Sequence, residues 1–422
     1  MNRIVIAGAG AAGLAAVETL RREGFTGTIT VLSEETEVFY DRPPLSKQIL
    51  AGEWDADRIR LRAPAQLAAL DIDLRPGVRA AGLDTARRLV TLSDGTDVPY
   101  DGLVVATGVR PRPLPDDSQP FIRTIDQALE WRKRLRPGTA LTIVGAGFLG
   151  AECAAVAARL GCAVTLLEPA AVPLAHAVGE PVGRMLADVH REHGVDVRTG
   201  VTVTSLADDA LSTADEVLVA IGSIANTDWL AGSGLDLGDG LLCDEYCAAA
   251  PGIYAAGDVA RWHNPLFGVT MRIEHRTNAA EQGMAAARNL LGAAKPFAPV
   301  PYFWSDQYDL KIHAYGHLRG HDHFEIVEGT LESRRFLATY RRAGRLVGAL
   351  AVNMPPKAIR PWRQAIATPP PSAGSSSAAL PFAGSSSAAS AFAGSSSAAS
   401  AFAGSSSAAS PFAVSPVVEE SP

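Results

Sequence analysis

The sequence predicts an α/β fold with two Rossmann-like domains, a small C-terminal α+β domain and a disordered tail. Three observations predict it. A strand-forming run enters a glycine loop and then an alanine-rich helical pattern twice, at residues 3–13 and 140–150. Short strand-like runs separated by glycine turns follow within residues 310–351. From Thr368 the composition changes to Pro, Ala, Gly and Ser, which has too little apolar surface to offset chain entropy.

The first glycine loop has GxGxxG spacing. Gly8 permits the tight turn, Gly10 lets a pyrophosphate approach the backbone, and Gly13 lets the helix pack on the strand. The helix N-terminus then presents free N–H groups and its positive dipole end to the phosphates. Glu34 follows the next strand pattern, Thr28 to Leu32, and lies near the spacing from Gly8 at which a carboxylate accepts hydrogen bonds from a ribose. A dinucleotide is therefore the expected ligand.

The second glycine loop repeats this layout with Gly145, Gly147 and Gly150, and its following strand ends on Glu168. A lone copy is weak evidence, because glycine turns also serve merely to pack a helix on a strand. Two copies that each carry an acid at the ribose position predict two nucleotide-binding halves.

Length and charge bound the class of protein. A chain of 422 residues is long enough for about three domains, and its net charge of −7 argues against a general nucleic-acid or membrane-surface binder. The first strand begins at Arg3, which leaves no room for a secretory signal, so a cytoplasmic location is expected. The longest apolar stretch, residues 141–167, is interrupted by Glu152 and Arg159, which favours buried elements over a membrane span.

The cysteines predict packing rather than chemistry. Cys153, Cys162, Cys243 and Cys247 show neither a CxxC pair nor a metal-ligand spacing with histidines. Reduced thiols in packing positions are expected, and no metal site is predicted.

Residues 40–47 (YDRPPLSK) form a proline-rich loop followed by the start of a helical pattern. This segment resembles the flavin loop of the NADH-dependent ferredoxin reductase family, which includes putidaredoxin and biphenyl-dioxygenase reductases. Other segments resemble further motifs of that family: the ATG crossover at 103–108, the AxGD motif at 253–258, the RIExxxNAxxQG helix at 272–283 and the FWSDQ segment at 302–308.

The resemblance implies a division into domains and two bound dinucleotides. It assigns residues 1–110 and 235–300 to an FAD-binding domain, 111–234 to an NAD-binding domain, 301–367 to a C-terminal interface domain and 368–422 to a low-complexity tail. The FAD contacts that it implies are Gly8, Gly10, Ala12, Gly13, Glu34, Lys47, Ala80, Arg123, Asp258, Arg276 and Trp304. The NADH contacts that it implies are Gly145, Gly147, Gly150, Glu152 and Glu168.

The catalytic residues implied by the resemblance are Lys47 and Glu152, expected to form an ion pair beside the flavin and the nicotinamide. One departure concerns Arg276, because relatives often carry an apolar or aromatic residue there. Another is Ser33, which replaces a glycine common before the ribose acid. Relatives also continue into an ordered C-terminal segment, whereas this chain continues into repeats.

The resemblance implies hydride transfer from NADH to FAD, and the sequence bears on the electron acceptor. Related enzymes of this fold pass electrons to a redox-active cysteine near the flavin, yet this chain has no cysteine before Cys153. We therefore expect a one-electron acceptor, a ferredoxin or a rubredoxin, serving a haem-thiolate monooxygenase or a ring-hydroxylating dioxygenase. A different class of function, a non-catalytic flavoprotein akin to apoptosis-inducing factor, stays open. The chain is expected to be a monomer or weak homodimer.

An acidic ferredoxin would be attracted by a basic surface. The C-terminal region is rich in arginine, although an ordinary solvated surface would look the same. Its arginines are Arg334, Arg335, Arg341, Arg342, Arg345, Arg360 and Arg363.

Overall fold

The computed structural model describes residues 1–116 and 120–368. Disorder is predicted for the repeats, which lie beyond Thr368 and therefore outside the described residues. None of the described helices is long and apolar enough to cross a bilayer.

The N-terminal third combines a Rossmann-like core with a small antiparallel sheet. Its elements are β1 (Arg3–Ala7), α1 (Ala11–Arg22), β2 (Thr28–Leu32), α2 (Pro64–Ala68), β3 (Asp73–Arg75), β4 (Ala80–Asp84), β5 (Leu89–Leu92), β6 (Asp97–Pro99), β7 (Gly102–Val105), β8 (Val109–Pro111) and α3 (Ile125–Arg134). Short 3-10 turns span Pro43–Ser46 and Ala56–Ile59.

The middle of the chain contains the second glycine loop and then returns to the first sheet. Its elements are β9 (Ala140–Val144), α4 (Phe148–Arg159), β10 (Ala163–Glu168), α5 (Ala175–Val178), α6 (Glu180–Glu192), β11 (Asp196–Thr199), β12 (Glu216–Val219), β13 (Ser223–Ala225), β14 (Leu237–Gly238), β15 (Gly240–Cys243), β16 (Ala248–Ala250), β17 (Ile253–Ala255), β18 (Ala260–Asn264), β19 (Val269–Arg272) and α7 (Arg276–Leu290). Further 3-10 turns span Asp209–Leu211 and Asp228–Leu230.

The C-terminal part is an antiparallel sheet followed by a helix. Its elements are β20 (Tyr302–Gln307), β21 (Leu310–Gly316), β22 (His323–Thr330), β23 (Arg335–Arg342), β24 (Arg345–Val352) and α8 (Pro356–Ala367). The strand order is β20-β21-β24-β23-β22, which confirms the small sheet that the glycine turns predicted. The aromatic segment that precedes the predicted strands is itself the edge strand β20.

The first Rossmann-like sheet is assembled from two separated parts of the chain. Its order is β16-β17-β7-β1-β2-β3, with β1 parallel to both β2 and β7 and with β17 parallel to β7. The strands β16 and β17 come from residues 248–255, so the chain leaves this sheet after β7 and returns to it. The interior of β1 is apolar on both faces, as expected for a parallel strand covered on both sides.

The second Rossmann-like sheet has the order β11-β10-β9-β12 and is parallel throughout. Helix α4 follows its first strand, as α1 follows β1. The α/β class with two Rossmann-like regions and a smaller C-terminal sheet domain is thus confirmed.

Helix α7 is positioned by a close backbone approach to α1. A Cβ atom placed on Gly283 would lie 2.3 Å from the carbonyl oxygen of Ala12, so only glycine allows the two helices to pack this closely. Since α1 begins at the first glycine loop, this packing places the first turn of α7 close to that loop.

The helix expected at Ser46 and Lys47 does not form. The two prolines instead start a 3-10 turn, Pro43–Ser46, and Lys47 leaves the helical region at φ −126° and ψ −100°. The reason is tertiary: the Lys47 side chain is bound to Glu152 of another element, and this contact overrides the local preference.

Candidate dinucleotide and redox site

The three glycines of the first loop meet different surroundings. A Cβ on Gly8, whose φ is +122°, would lie 2.1 Å from the carbonyl oxygen of Ala106, and one on Gly13 would lie 2.0 Å from that of Gly8. A Cβ on Gly10 would meet no atom within 4 Å. The outer glycines are therefore required by the turn and by helix packing, whereas Gly10 faces open space where a ligand can approach the backbone.

The second loop has the same construction. A Cβ on Gly145, at φ +101°, would lie 2.5 Å from the carbonyl oxygen of Ala220, and one on Gly150 would lie 2.0 Å from that of Gly145. Gly147 again has no atom within 4 Å of a Cβ position. Each loop thus leaves its middle glycine open.

A cavity of about 860 Å³ runs along the first loop, past residues 40–47 and as far as β20. It brings together most of the residues predicted to contact FAD, together with Glu152. Those that line it are Gly8, Gly10, Ala12, Glu34, Lys47, Ala80, Arg123, Glu152, Asp258, Arg276 and Trp304. Gly13 packs behind the loop, and Gly145, Gly147, Gly150 and Glu168 lie outside this cavity on the second loop.

One part of the cavity is rich in arginine. Arg42 donates hydrogen bonds to the Tyr40 hydroxyl at 2.6 Å and to the Arg123 carbonyl at 2.7 Å, and to Glu35 at 2.5 Å. Arg123 lies 3.5 Å from the Asp258 carboxylate. Burial raises the pKa of Asp258 against the opposing charge of Arg123, and burial together with the charge of Arg42 lowers the pKa of Arg123.

These residues fit a bound dinucleotide. The N-terminus of α1 has no side-chain cap, so the N–H groups of its first turn are available to a phosphate. Within the described residues the buried Nε of Arg123 has no hydrogen-bond partner, and an unpaired buried donor is costly unless a ligand accepts from it. Gly10 and Arg123 would face the phosphates, and FAD bound there would supply a two-electron carrier that can release electrons singly.

The Lys47–Glu152 ion pair is present and buried. Lys47 Nζ donates to Glu152 Oε2 at 2.6 Å, and the two side chains are 11% and 7% exposed. Ser46 donates to the same oxygen at 2.7 Å, and Ser305 donates to Oε1 at 2.7 Å. Glu152 therefore accepts three hydrogen bonds, which stabilise its negative charge inside the protein.

Glu168, which the sequence predicts to bind the ribose, also anchors the second loop. Its Oε2 accepts from the backbone N–H of Ala146 at 2.8 Å, and its Oε1 accepts from that of Ala170 at 2.9 Å. The carboxylate keeps acceptor capacity for a ribose hydroxyl, since each oxygen has two lone pairs. In contrast, Glu34 at the first loop is 73% exposed and lies 3.8 Å from Arg79.

Aromatic rings close the far end of the cavity. Phe148, at the start of α4, packs on Phe303 of β20 with ring centroids 4.9 Å apart, and His275 packs on the same ring at 5.1 Å. Trp304, the neighbour of Phe303, lines the cavity and is half-buried. The second glycine loop and β20 thus meet where the Lys47–Glu152 pair lies.

Sequence reasoning missed several polar residues of this site. Arg42 lies within the segment that carried the resemblance, so its charge beside a predicted phosphate site was the available signal. Ser46 and Ser305 lie in quoted segments as well, but nothing in the sequence indicates that both donate to Glu152.

The fold and the site define a class of protein: an oxidoreductase with two dinucleotide-binding regions that meet at a buried ion pair. The chain belongs to the pyridine nucleotide-disulphide oxidoreductase family, which matches residues 2–283. Residues 302–375 match the reductase C-terminal family. Like other members, the chain uses FAD and NAD(H).

Relatives with known names cover most of the chain. Putidaredoxin reductase of Pseudomonas putida is 35% identical over 377 residues, which is 84% of this chain and 89% of that protein. The ferredoxin–NAD(+) reductase component of the anthranilate 1,2-dioxygenase system of Burkholderia cepacia is 36% identical over 83% of this chain and 90% of its own length. The crystal structure of the covalent putidaredoxin reductase–putidaredoxin complex matches with a TM-score of 0.81 and 34% identity, over 87% of this chain and 93% of that chain.

Proposed function

We propose that this protein is an FAD-containing NADH:ferredoxin oxidoreductase of the cytoplasm. It takes a hydride from NADH and passes single electrons to a ferredoxin that supplies a haem-thiolate monooxygenase or a ring-hydroxylating dioxygenase. The reaction balances when one NADH reduces two ferredoxins by one electron each and one proton is released.

The proposed division of labour follows the sheets. Residues 1–110 and 235–300 would bind FAD, because their strands share one sheet beside the cavity. Residues 111–234 would bind NADH on the second glycine loop, and residues 301–367 would form the interface domain. The proposed contact residues are those named from the resemblance, with Arg42 added.

The Lys47–Glu152 pair is the observation that carries this proposal. Lys47 comes from the loop that lines the first dinucleotide site, and Glu152 comes from the helix that begins at the second glycine loop. The pair therefore lies between the two sites, where hydride transfer must occur. A buried ammonium held there would favour the negatively charged reduced flavin.

The positions of the cysteine thiols indicate the class of electron acceptor. All four cysteines are buried, and none of them is among the described residues that line the cavity. Burial raises the pKa of Cys153 well above its ordinary value, which keeps this thiol protonated and unreactive. Without a thiol at the cavity to receive two electrons, a one-electron protein carrier is the natural acceptor, as the names of the relatives suggest.

Anaerobic stopped-flow kinetics test the proposal. NADH should bleach the yellow flavin, and the reduced protein should then reduce a ferredoxin at a rate that sustains turnover. Faster reduction of a rubredoxin would identify that carrier as the acceptor instead. A long-lived reduced flavin that reduces neither carrier would contradict the proposal and favour a non-catalytic flavoprotein.

A further inference from the structure

A line of buried polar side chains leads from Glu152 away from the cavity. Ser305 Oγ lies 2.7 Å from Glu152 Oε1, and Gln307 Nε2 lies 3.3 Å from Ser305 Oγ. His190 Nε2 is 3.2 Å from Gln307 Oε1, and the Tyr308 hydroxyl is 3.0 Å from His190 Nδ1. The first four of these residues are at most 5% exposed.

Chemistry sets the direction of every hydrogen bond in this line. A carboxylate only accepts, so Ser305 donates to Glu152, and the Ser305 oxygen accepts from the amide N–H of Gln307. The Gln307 carbonyl then faces His190 and accepts from its Nε2–H. Since the neutral ring carries one proton, Nδ1 is bare and accepts from the Tyr308 hydroxyl. All four donors point toward the carboxylate, an arrangement in which each hydrogen bond strengthens the next.

Three separate elements supply the line. Ser305 and Gln307 lie two positions apart on β20, so their side chains point to one face of the strand. His190 belongs to α6, where burial lowers its pKa to about 4 and keeps the ring neutral. Tyr308 follows β20 at φ +54°, with its ring stacked on His193 at a centroid distance of 3.7 Å. The line thus ties α6 and β20 to α4, which carries Glu152.

We propose that His190 is a positioning residue for the Lys47–Glu152 ion pair, acting through Gln307 and Ser305. It holds the Gln307 amide in the orientation that leaves Ser305 free to donate to Glu152. Among the described contacts, Glu152 Oε1 accepts from Ser305 alone. Without that donor the carboxylate is held through Oε2 alone, by Ser46 and Lys47, so the position of Lys47 beside the cavity is less tightly fixed. The kinetic consequence rests on the function proposed above, whereas the positioning itself does not.

Chemical labelling of Lys47 tests the positioning directly. The flavin-loaded protein is treated with an amine-acetylating reagent, and mass spectrometry follows Lys47 against Lys133, which is 71% exposed. Ser305→Ala and His190→Leu should each raise the relative labelling rate of Lys47 by about threefold to tenfold, the range expected for one lost hydrogen bond. His190→Gln keeps a donor and an acceptor and should restore most of the protection.

A matched control tests whether the loss of a buried hydroxyl elsewhere in the protein also exposes Lys47. The hydroxyl of Thr339 is buried and has no partner among the described residues, so Thr339→Val removes a buried hydroxyl outside the line. It should leave Lys47 labelling unchanged. Unchanged labelling in His190→Leu would overturn the proposal, whatever the result for Ser305→Ala. If His190→Leu fails to fold, His190→Phe, which keeps a ring but has no donor for Gln307, takes its place with the same expected rise in labelling and the same overturning result.

A double variant tests whether His190 acts through Ser305. His190→Leu should slow NADH-to-flavin hydride transfer by about threefold to tenfold in the wild-type background and add almost nothing in Ser305→Ala, while its thermal destabilisation appears in both. A full additional slowing in the Ser305→Ala background would contradict the proposed route. Altered labelling with unaltered hydride transfer would uphold the positioning and contradict the role proposed for the ion pair.

Discussion

Arg276 donates a hydrogen bond from Nε to Asp41 Oδ1 at 2.9 Å, which joins the first turn of α7 to the loop that carries Lys47. The two residues are 235 positions apart in the chain, and both line the cavity. The resemblance implies an apolar or aromatic residue at position 276, and the structure shows that a carboxylate on the neighbouring loop pairs with the charge of Arg276. The pair as a whole is therefore close to neutral beside the proposed flavin site.

Unpairing these charges should shift the flavin potential in opposite directions. Asp41→Asn leaves a cation that stabilises the reduced anion and raises the two-electron midpoint potential, whereas Arg276→Gln leaves an anion that lowers it. Because both side chains are 30% exposed, each shift should be about 5–20 mV, equivalent to less than about 1 kcal/mol. Spectroelectrochemical titration measures it, and the double variant should return close to wild type. Shifts of the same sign would show that charge is not the cause.

The two open glycines allow the dinucleotide sites to be tested separately. Gly10 and Gly147 both have extended backbones, so valine fits there without strain and projects into open space. Gly10→Val should yield folded protein without FAD, and Gly147→Val should yield yellow protein that NADH reduces at least tenfold more slowly at a given concentration.

Gly13→Ala is the contrasting variant, because its Cβ would lie 2.0 Å from the carbonyl oxygen of Gly8. It should destabilise the fold by about 1–3 kcal/mol or more, measured by chemical denaturation of the FAD-free protein.

Loss of FAD from Gly147→Val with retention in Gly10→Val would reverse the assignment of the two loops.

Coenzyme choice should depend on Glu168. Its negative charge repels a 2′-phosphate, and no lysine or arginine between Pro169 and Glu180 would receive one, so NADH should be strongly preferred over NADPH. Glu168→Gln removes the charge but keeps an acceptor for the loop. It should lower the ratio of kcat/KM with NADH to kcat/KM with NADPH by about tenfold. Glu168→Ala also releases the backbone N–H groups of Ala146 and Ala170, and should raise the KM for both coenzymes. Equal efficiency of wild type with the two coenzymes would refute this.

Ferredoxin reduction should slow as salt rises, because charges attract an acidic carrier over a screening length of about 8–10 Å. Two arginines of the C-terminal region already pair with carboxylates of this chain: Arg334 pairs with Glu192, and Arg363 lies 3.8 Å from Glu281. In the part of the chain that the structure describes, Lys357 and Arg360 are exposed and form no ion pair. Reversal of both to Glu should raise the ferredoxin KM by about threefold or more.

Two controls accompany this reversal. Arg136→Glu with Lys295→Glu makes the same change in net charge at exposed positions on other parts of the described surface, and should leave the ferredoxin KM nearly unchanged. Reduction of a neutral quinone should be insensitive to salt in every variant. Equal effects of the two double reversals would place the docking surface elsewhere.

The repeats should be dispensable for chemistry. Ile366 is fully buried within α8, so a truncation should retain that helix and end after Thr368. The shortened protein should keep its FAD and oxidise NADH with a neutral quinone at a rate within about twofold of the full chain, because a Ser/Ala/Gly tract supplies no fixed catalytic group. Loss of FAD on truncation would show that the repeats shield the site.

The sequence by itself determined the parts of this protein that depend on short-range geometry. A glycine loop between a strand and a helix, as at Gly8 or Gly145, needs particular residues at fixed spacing, because the turn, the phosphate approach and the helix packing are all local. The return of the chain to the first sheet was readable only through the resemblance, since residues 253–258 match the AxGD motif, whereas a strand ending in Gly-Asp is by itself commonly just a turn.

Only the tertiary structure decided which side chains meet across long separations. The partner of Arg276, the three donors on Glu152 and the line through Gln307 to His190 each join elements whose relative placement depends on the packing of whole sheets and helices. Lys47 shows the same effect on the backbone, because its contact with Glu152 replaces a predicted helix start by a 3-10 turn. A buried carboxylate requires donors, but it accepts them from any element that folding brings within reach, so spacing along the chain carries no record of them.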